Sequence, residues 1–284
     1  MSSTQPNTSG QPAGQSTGQR TGRLLLIPNT LDFGCLDGGT GETPPDLREV
    51  LPMGAITAAA GLTHWIAENA KTTRAFLKRV GEITPLRAPL QEQDIQVLPR
   101  PNKGGHKGGA KRPDPQEDRQ ITDLLAPALA GHDVGLISEA GLPGVADPGA
   151  AVVLAAHKAG IAVLPLSGPS SLVLALAASG LHGQSFAFVG YLPVEAQERA
   201  QRIKDLEQTS RKAHQTQLVI ETPYRNTALW QALLQHLQAN TLLSVSCGLT
   251  LAQGWSRTDT VERWRKQALT LPDDIPAVFS WLAA

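Results

Sequence analysis

The sequence is poor in the residue types that build disulfide frameworks and metal sites. Its 284 residues contain two cysteines, Cys35 and Cys247, which lie far apart in the chain. That usage argues against a disulfide framework and against a cysteine-rich zinc site, and it favours a reducing cytoplasm. The seven histidines occur singly, without the spacing of metal ligands. We therefore predict a cytoplasmic protein that binds no metal.

The chain also lacks a net charge and a long apolar run. Lys plus Arg and Asp plus Glu both number 25, so any basic patch must be local. No apolar stretch reaches the roughly 18 residues that a membrane span needs. Residues 1–22 contain no apolar core of a secretory signal. These absences predict a globular protein with no membrane partner.

Short apolar runs alternate with helical spacing in most of the remaining chain, which is typical of an α/β fold. The strand VGLI (134–137), a helix over 150–159 and the strand IAVLPL (161–166) form a predicted parallel crossover unit. Further strands are expected around helices at 195–208 and 226–238. We predict two α/β domains, an N-terminal domain at 23–182 and a C-terminal domain at 183–284.

Two segments are expected to lie outside these domains. Residues 1–22 are rich in Ser, Thr, Gln and Gly, which bury too little apolar area to offset the entropy of ordering, so we predict disorder. Residues 99–115 combine glycines and prolines with five Lys or Arg residues and predict a flexible basic loop. A clamp on a phosphate backbone is one interpretation. A solvated insertion is favoured, because no aromatic residue is interleaved for base stacking.

Three glycine-rich or proline-rich loops each follow an apolar strand: IPNTLDFG (27–34), SEAGLPGVADPG (138–149) and SGPSS (167–171). Glycine permits a close approach of the backbone to a ligand, and open α/β sheets bind ligands at the carboxyl ends of their strands. The loops match neither the dinucleotide fingerprint nor the P-loop. Together they predict a site for a flat, polar small molecule.

The same loops carry a resemblance to a known family. The run GLISEAGLPGVADPGAAVVLAAHKAGIAVLPLSGPSSLVLALAASGL resembles the signature of the tetrapyrrole methylase superfamily of S-adenosylmethionine-dependent methyltransferases. Within it the sequence is most similar to the bacterial small-subunit ribosomal-RNA ribose 2′-O-methyltransferases. IAENAKTTRAFL (66–77) and VIETPYR (219–225) are similar to two further motifs of that branch. The resemblance implies S-adenosyl-L-methionine as cofactor, bound in a cleft between the two α/β domains. It also implies an RNA substrate, a role in rRNA processing and a homodimer.

Carried over by position, the resemblance also implies which residues hold the cofactor. The glycine-rich loop would contact its methionine part, and residues of the C-terminal domain would hold its adenosine. The implied cofactor-binding residues are Pro28, Glu139, Ala140, Gly141, Gly144, Val145, Ser170, Ser171, Glu221, Thr222, Leu249 and Ala277.

Other residues are candidates for substrate contact and catalysis. Glu68, Arg74, Tyr224 and Arg225 could contact the substrate, although Glu68 and Arg74 could equally form a structural ion pair, and Arg225 could be solvated. A ribose hydroxyl is a weak acid that benefits from a nearby base. Glu139 is the predicted catalytic residue, with Glu221 as the other candidate. Asp147 is interpreted as a helix N-cap.

The methyl acceptor stays open at this point. GLTLAQG (248–254) stands where the RNA branch tends to have E-L-T-K-x-x-E, and no helical segment follows the last predicted strand. An RNA methyltransferase is the leading hypothesis. A small-molecule, tetrapyrrole-like methyltransferase and a non-catalytic protein that binds S-adenosylmethionine are the alternatives.

Overall fold

A computed structural model describes residues 21–32, 45–99 and 115–284. Most of the predicted tail 1–22 and of the predicted basic loop 99–115 lies outside these residues. The described residues form two five-stranded sheets with helices packed on them. The predicted α/β class is thereby confirmed.

The first sheet is parallel throughout, in the order β3-β2-β4-β1-β5. The central strand β4 reads VGLI and is buried at all four positions, as expected of a strand covered on both faces. Apolar clusters lie on both sides of the sheet. Its strands are β1 Arg23–Leu26, β2 His64–Ala67, β3 Asp94–Val97, β4 Val134–Ile137 and β5 Ala162–Pro165.

Six helices of the described residues accompany this sheet. The longest of these helices begins directly after Asn69, whose side chain accepts a hydrogen bond from the Lys71 N–H and so caps the helix. A short 3-10 turn at Leu90–Glu92 precedes β3. The helices are α1 Leu47–Val50, α2 Met53–Ala60, α3 Ala70–Ile83, α4 Pro115–Asp123, α5 Ala126–Leu129 and α6 Ala150–Lys158.

The second sheet is mixed, in the order β6-β7-β10-β8-β9, with β6 and β7 parallel and the other pairs antiparallel. Four helices and a 3-10 turn at Pro223–Arg225 belong to this half of the chain. Its elements are α7 Ser171–Ser179, β6 Phe186–Phe188, α8 Ala196–Ala213, β7 Thr216–Ile220, α9 Asn226–His236, β8 Leu242–Cys247, β9 Trp255–Thr260, α10 Val261–Trp264 and β10 Ala277–Leu282.

Helix α7 packs on the second sheet, although it precedes the predicted boundary at residue 183. It contacts β8, β9 and β10, and its Leu172 and Leu176 form one apolar cluster with Leu218 and Val278. The domain limits stay a prediction, but these contacts favour a division before Ser171. The loop 167–171 therefore connects one sheet to the other.

Gly135 in β4 offers a test of the packing inside the first sheet. A Cβ at this position would lie 2.7 Å from the Cε3 and Cζ3 atoms of Trp65 and 2.8 Å from Cδ1 of Leu62. Overpacking of this kind costs about 1–3 kcal/mol. We expect Gly135→Ala to lower the free energy of unfolding by that amount, measured by urea denaturation.

Gly54 supplies the matched control for that substitution. It lies in α2, and a Cβ there would meet nothing within 4 Å. Alanine is favoured over glycine in a helix by about 0.5–1 kcal/mol, so Gly54→Ala should stabilise the protein slightly. Equal free energies of unfolding for Gly135→Ala and Gly54→Ala would contradict the close packing of Gly135 against Trp65 and Leu62.

Candidate functional site

The loop after β1 and the loop after β4 are joined directly by hydrogen bonds. The Asn29 N–H donates to the Gly141 carbonyl oxygen at 2.8 Å, and the Gly141 N–H donates to that of Thr30 at 3.2 Å. The buried amide of Asn29 also donates to the carbonyl oxygens of Ser138 and Glu139, at 3.0 and 3.1 Å. Asn29, which was not predicted as a site residue, thus holds the glycine-rich loop against the loop after β1.

The third predicted loop packs against the other two. A Cβ on Gly168 would lie 2.1 Å from the Cβ of Pro28, and a Cβ on Gly141 would lie 3.5 Å from the Pro169 carbonyl oxygen. Gly141 also has a φ of +63°, which favours glycine. Pro28 is buried in this contact, so it holds two loops together. The carboxyl ends of β1, β4 and β5 therefore meet in one compact unit.

A cavity of about 340 Å³ lies beside this unit, between the two sheets. Leu31 and Ser171 contribute from the loops just described, and the other lining residues come from the second sheet and its loops. Five of the predicted cofactor residues line it: Ser171, Glu221, Thr222, Leu249 and Ala277. The other lining residues, which were not predicted as site residues, are Leu31, Tyr191, Ile220, Pro223, Ser246, Gly248, Pro276 and Val278.

Glu221 and Arg225 form a buried ion pair on the cavity wall. The Glu221 side chain is only 2% exposed, and its two carboxylate oxygens accept from Arg225 Nη2 at 2.7 and 2.6 Å. Glu221 Oε1 also accepts from the Thr222 N–H at 2.8 Å. The hydrogen bond from Arg225 to Glu221 is the main reason that the pKa of Arg225 is raised. Arg225 is therefore a structural partner of Glu221. This pairing argues against two interpretations of Arg225, as a solvated side chain and as a side chain free to bind a phosphate.

Three carboxylates meet where the glycine-rich loop faces the end of β2. The Glu139 N–H donates to Glu68 Oε2 at 3.3 Å, and Asn69 Nδ2 donates to Glu139 Oε1 at 3.2 Å. Burial is the main cause that raises the pKa of Glu68, and the charge of Glu139 raises it further. For Asp147, burial and the charges of Glu68 and Glu139 raise the pKa to about 6. This corner of the cleft is strongly acidic.

The interpretation of Asp147 as a helix cap is wrong. Helix α6 begins after Gly149, which has a φ of 127° and makes no side-chain capping bond. Asp147 is half-buried two residues before that glycine, where Ser138, Glu68 and Glu139 are close enough to influence its pKa.

The remaining predicted residues lie at the margins of the site. Arg74 is exposed on α3, where its guanidinium donates to the Ala70 carbonyl oxygen at 3.4 Å. Among the described residues no ion pair joins it to Glu68, so that structural hypothesis is wrong. Tyr224 is 71% exposed and Val145 is 45% exposed. Ala140 is buried, and neither it nor Gly144 and Ser170 lines the cavity.

Comparison with known proteins identifies the family. The model of the family described as Tetrapyrrole (Corrin/Porphyrin) Methylases matches residues 55–260. This match spans both sheets. The chain belongs to the tetrapyrrole methylase family. The predicted resemblance is thus confirmed, and the three loops are the part of this fold where both halves of the chain meet.

Curated relatives and solved structures agree with this assignment. Proteins named ribosomal RNA small subunit methyltransferase I are similar: the one from Halalkalibacterium halodurans is 41% identical over 107 residues, 38% of this chain and 34% of that protein. The one from Synechocystis is 37% identical over 128 residues, 45% of this chain and 44% of that protein. The matched segments thus span less than half of these relatives.

Solved structures show the same fold at low sequence identity. The methyltransferase CobJ has a TM-score of 0.52 and 14% identity, covering 93% of this chain and 95% of that one. A conserved hypothetical protein from Aeropyrum pernix K1 has a TM-score of 0.55 and 18% identity, covering 93% of this chain and 85% of that one. Both structures support the arrangement of two β-sheets with helices packed on them.

The part of the chain that the structure describes contains neither a candidate membrane span nor a candidate metal cluster. No helix there is both long and apolar enough to cross a membrane. No group of three or more His, Cys, Asp or Glu side chains there could hold a metal ion.

Proposed function

We propose that this tetrapyrrole methylase family member is an S-adenosyl-L-methionine-dependent methyltransferase that acts on the RNA of the small ribosomal subunit, at a ribose 2′-hydroxyl. The observation that carries the proposal is the cavity of about 340 Å³ between the two sheets. Five residues that the family resemblance implied for the cofactor line that cavity together with Leu31, which comes from the loop after β1.

The cavity fits the chemistry of this cofactor. Its volume is within the range of small-molecule sites, about 300–1,000 Å³. Ile220, Leu249 and Val278 supply an apolar wall suited to an adenine ring, and Thr222 supplies a polar group beside it. Gly248, with a φ of +63°, has no room for a Cβ, which would lie 3.2 Å from Ile275 Cγ2. Here the backbone itself forms the wall.

When bound, the cofactor would supply a methyl group that is already electrophilic, so the protein mainly has to orient the reacting groups. In this proposal the loop 138–149 lies against the methionine part, and Ser170 and Ser171 contact it from the third loop. Glu221 remains paired with Arg225 and fixes the turn that carries Thr222. A carboxylate of the acidic corner receives the proton of the acceptor, and Glu139 is the predicted residue for this role.

The RNA substrate is favoured by the names of the curated relatives, which modify ribosomal RNA. The alternative, a tetrapyrrole-like small molecule, is supported only by the family description and by structures of low identity. Tyr224, which is exposed and follows the lining residue Pro223, remains a proposed acceptor contact, as do Glu68 after β2 and Arg74 on α3. A cytoplasmic homodimer is proposed on the family resemblance alone.

A methyl-transfer assay tests the function. Purified protein with tritium-labelled S-adenosylmethionine should label RNA in small ribosomal subunits from cells that lack the gene, and nuclease digestion should release a 2′-O-methylated nucleoside. Labelling of a porphyrinoid precursor in place of RNA would support the small-molecule alternative. Cofactor binding by calorimetry without transfer to either acceptor would support the non-catalytic alternative.

A further inference from the structure

A chain of buried polar side chains runs through the loop after β1. Asn29, Thr30 and Asp32 are 7%, 2% and 7% exposed. The Thr30 hydroxyl donates to Asp32 Oδ1 at 2.9 Å, and the Thr30 N–H donates to Asn29 Oδ1 at 2.9 Å. A buried polar group is costly unless it is hydrogen-bonded, so these contacts fix the direction of all three side chains.

One end of this chain is an arginine of helix α3. Arg79 Nη1 donates to Asp32 Oδ2 at 3.3 Å, and Arg79 Nη2 donates to the Pro45 carbonyl oxygen at 2.8 Å. The side chains of Arg79 and Asp32 are only 25% and 10% exposed. Two nitrogens of one planar guanidinium thus engage two different partners, which fixes both of them relative to α3. Arg79 lies beyond the motif at 66–77 and was not predicted as a site residue.

The other end of the chain is the glycine-rich loop. The Thr30 carbonyl oxygen accepts from the Gly141 N–H at 3.2 Å. The Asn29 amide donates to the carbonyl oxygens of Ser138 and Glu139. Hydrogen bonds therefore connect α3, through the loop after β1, to the loop that the proposed function assigns to the methionine part of the cofactor.

The wall of the cavity lies within this chain. Leu31 lines the cavity, and its Cδ2 would lie 3.3 Å from a Cβ on Gly141. The residues on either side of Leu31 are both held, Thr30 by Gly141 and Asp32 by Arg79. The position of Leu31 on the wall therefore depends on Arg79, although Arg79 does not itself line the cavity.

Stability alone does not explain a buried ion pair at this place. The cost of removing two charges from water cancels much of their attraction, so apolar side chains of similar volume are often at least as stabilising. Phe76, Leu77 and Val80, on the same helix, already pack into an apolar cluster. Apolar contacts are non-directional, whereas the bonds from Arg79 fix where the loop after β1 lies.

We propose that Arg79 is a positioning residue of this methyltransferase. By holding Asp32 against α3 it sets the place of Leu31 on the cavity wall, and thereby the affinity for S-adenosylmethionine and the rate of methyl transfer. The effect on the rate rests on the proposed function. The effect on cofactor affinity can be measured independently of any methyl acceptor.

The variant Arg79→Met tests this role, because it removes both hydrogen bonds and keeps much of the apolar stem. The loop after β1 then loses its tie to α3, and a displacement of about 1 Å costs about 100-fold in rate. We expect kcat/KM to fall by about that factor and the Kd for S-adenosylmethionine, measured by calorimetry, to rise about tenfold. Lys78→Met, at the preceding exposed position of α3, is the control and should match the wild type.

A double variant separates position from stability. Arg79→Met takes a cation away from the buried carboxylate of Asp32, so Tm should fall by about 5 °C. Adding Asp32→Asn removes that buried charge and should recover most of the lost Tm. The Kd should stay about tenfold above that of the wild type, because the tie to α3 is still missing. The double variant also carries the comparison if Arg79→Met alone does not fold.

Two results would overturn the proposal. One is cofactor affinity within twofold of the wild type in folded Arg79→Met. The other is recovery of the affinity together with Tm in the double variant, which would mark Arg79 as a residue of stability only. A wild type that binds S-adenosylmethionine but methylates no acceptor would contradict the proposed function, and calorimetry would still decide the role of Arg79.

Discussion

Replacing Gly168 with alanine is expected to reduce kcat/KM for methyl transfer about 100-fold and to weaken the binding of S-adenosylmethionine. The new Cβ would lie 2.1 Å from the Cβ and 2.6 Å from the Cγ of Pro28. Pro28 is a rigid ring on a buried turn, so it cannot rotate away. The loops 27–32 and 167–171 must separate by about an ångström, and misplacement on that scale costs about two orders of magnitude in rate.

The measurement combines calorimetry with the cofactor and the methyl-transfer assay. Gly183→Ala is the matched control, because Gly183 follows α7 and a Cβ there would meet nothing within 4 Å. It should retain the activity and the affinity of the wild type. Normal binding by Gly168→Ala would mean that the contact between these two loops does not shape the cavity. A folded variant is expected, since overpacking costs only about 1–3 kcal/mol.

The second large effect is expected from Arg225→Met, which removes the cation from a carboxylate that is only 2% exposed. Breaking a buried pair by deleting one partner costs about 3–5 kcal/mol, because an uncompensated charge stays behind. Arg225 is itself 25% exposed, so solvent screening should reduce the loss to somewhat below that range, about 2–3 kcal/mol. Urea denaturation measures the loss, and methionine keeps much of the apolar stem.

Arg263→Met provides the control with the same sequence spacing. Arg263 pairs with Asp259 four residues earlier, but its side chain is 74% exposed and its nitrogen lies 3.6 Å from the carboxylate. Exposed pairs contribute about 0–1 kcal/mol. We expect a small change in stability and none in cofactor binding. If both variants lost the same stability, burial of Glu221 would not be the reason for the effect at Arg225.

Much of the fold could be predicted because its signals are local. The strand VGLI, the helix at 150–159 and the following strand were expected, and the structure has them as β4, α6 and β5. Their apolar spacing depends only on neighbouring residues. The edge strands β3 and β9 were not expected. DIQV and WSRTDT contain no continuous apolar run, which is the signal that the other two edge strands, β5 and β6, do carry.

Part of the site could be predicted from its motifs. Ser171, Glu221, Thr222, Leu249 and Ala277 line one cavity, although they are spread over more than a hundred residues of sequence. Tyr191, also on the wall, carries a signal that could have found it, since it follows β6 at the carboxyl end of a strand, like the three loops. Leu31 has no comparable signal, because a loop leucine packs into an apolar core as often as it lines a binding site.

The sequence by itself determined the α/β class, the order of the main elements and the family to which the chain belongs. Apolar periodicity and motifs depend only on short stretches of neighbouring residues. The tertiary structure alone decided how those stretches combine. Helix α7, SLVLALAAS, is apolar around its whole circumference, so its sequence does not say which sheet it covers. The burial of the Arg225–Glu221 pair depends on the residues that surround both charges, and those neighbours come together only when the second sheet has formed.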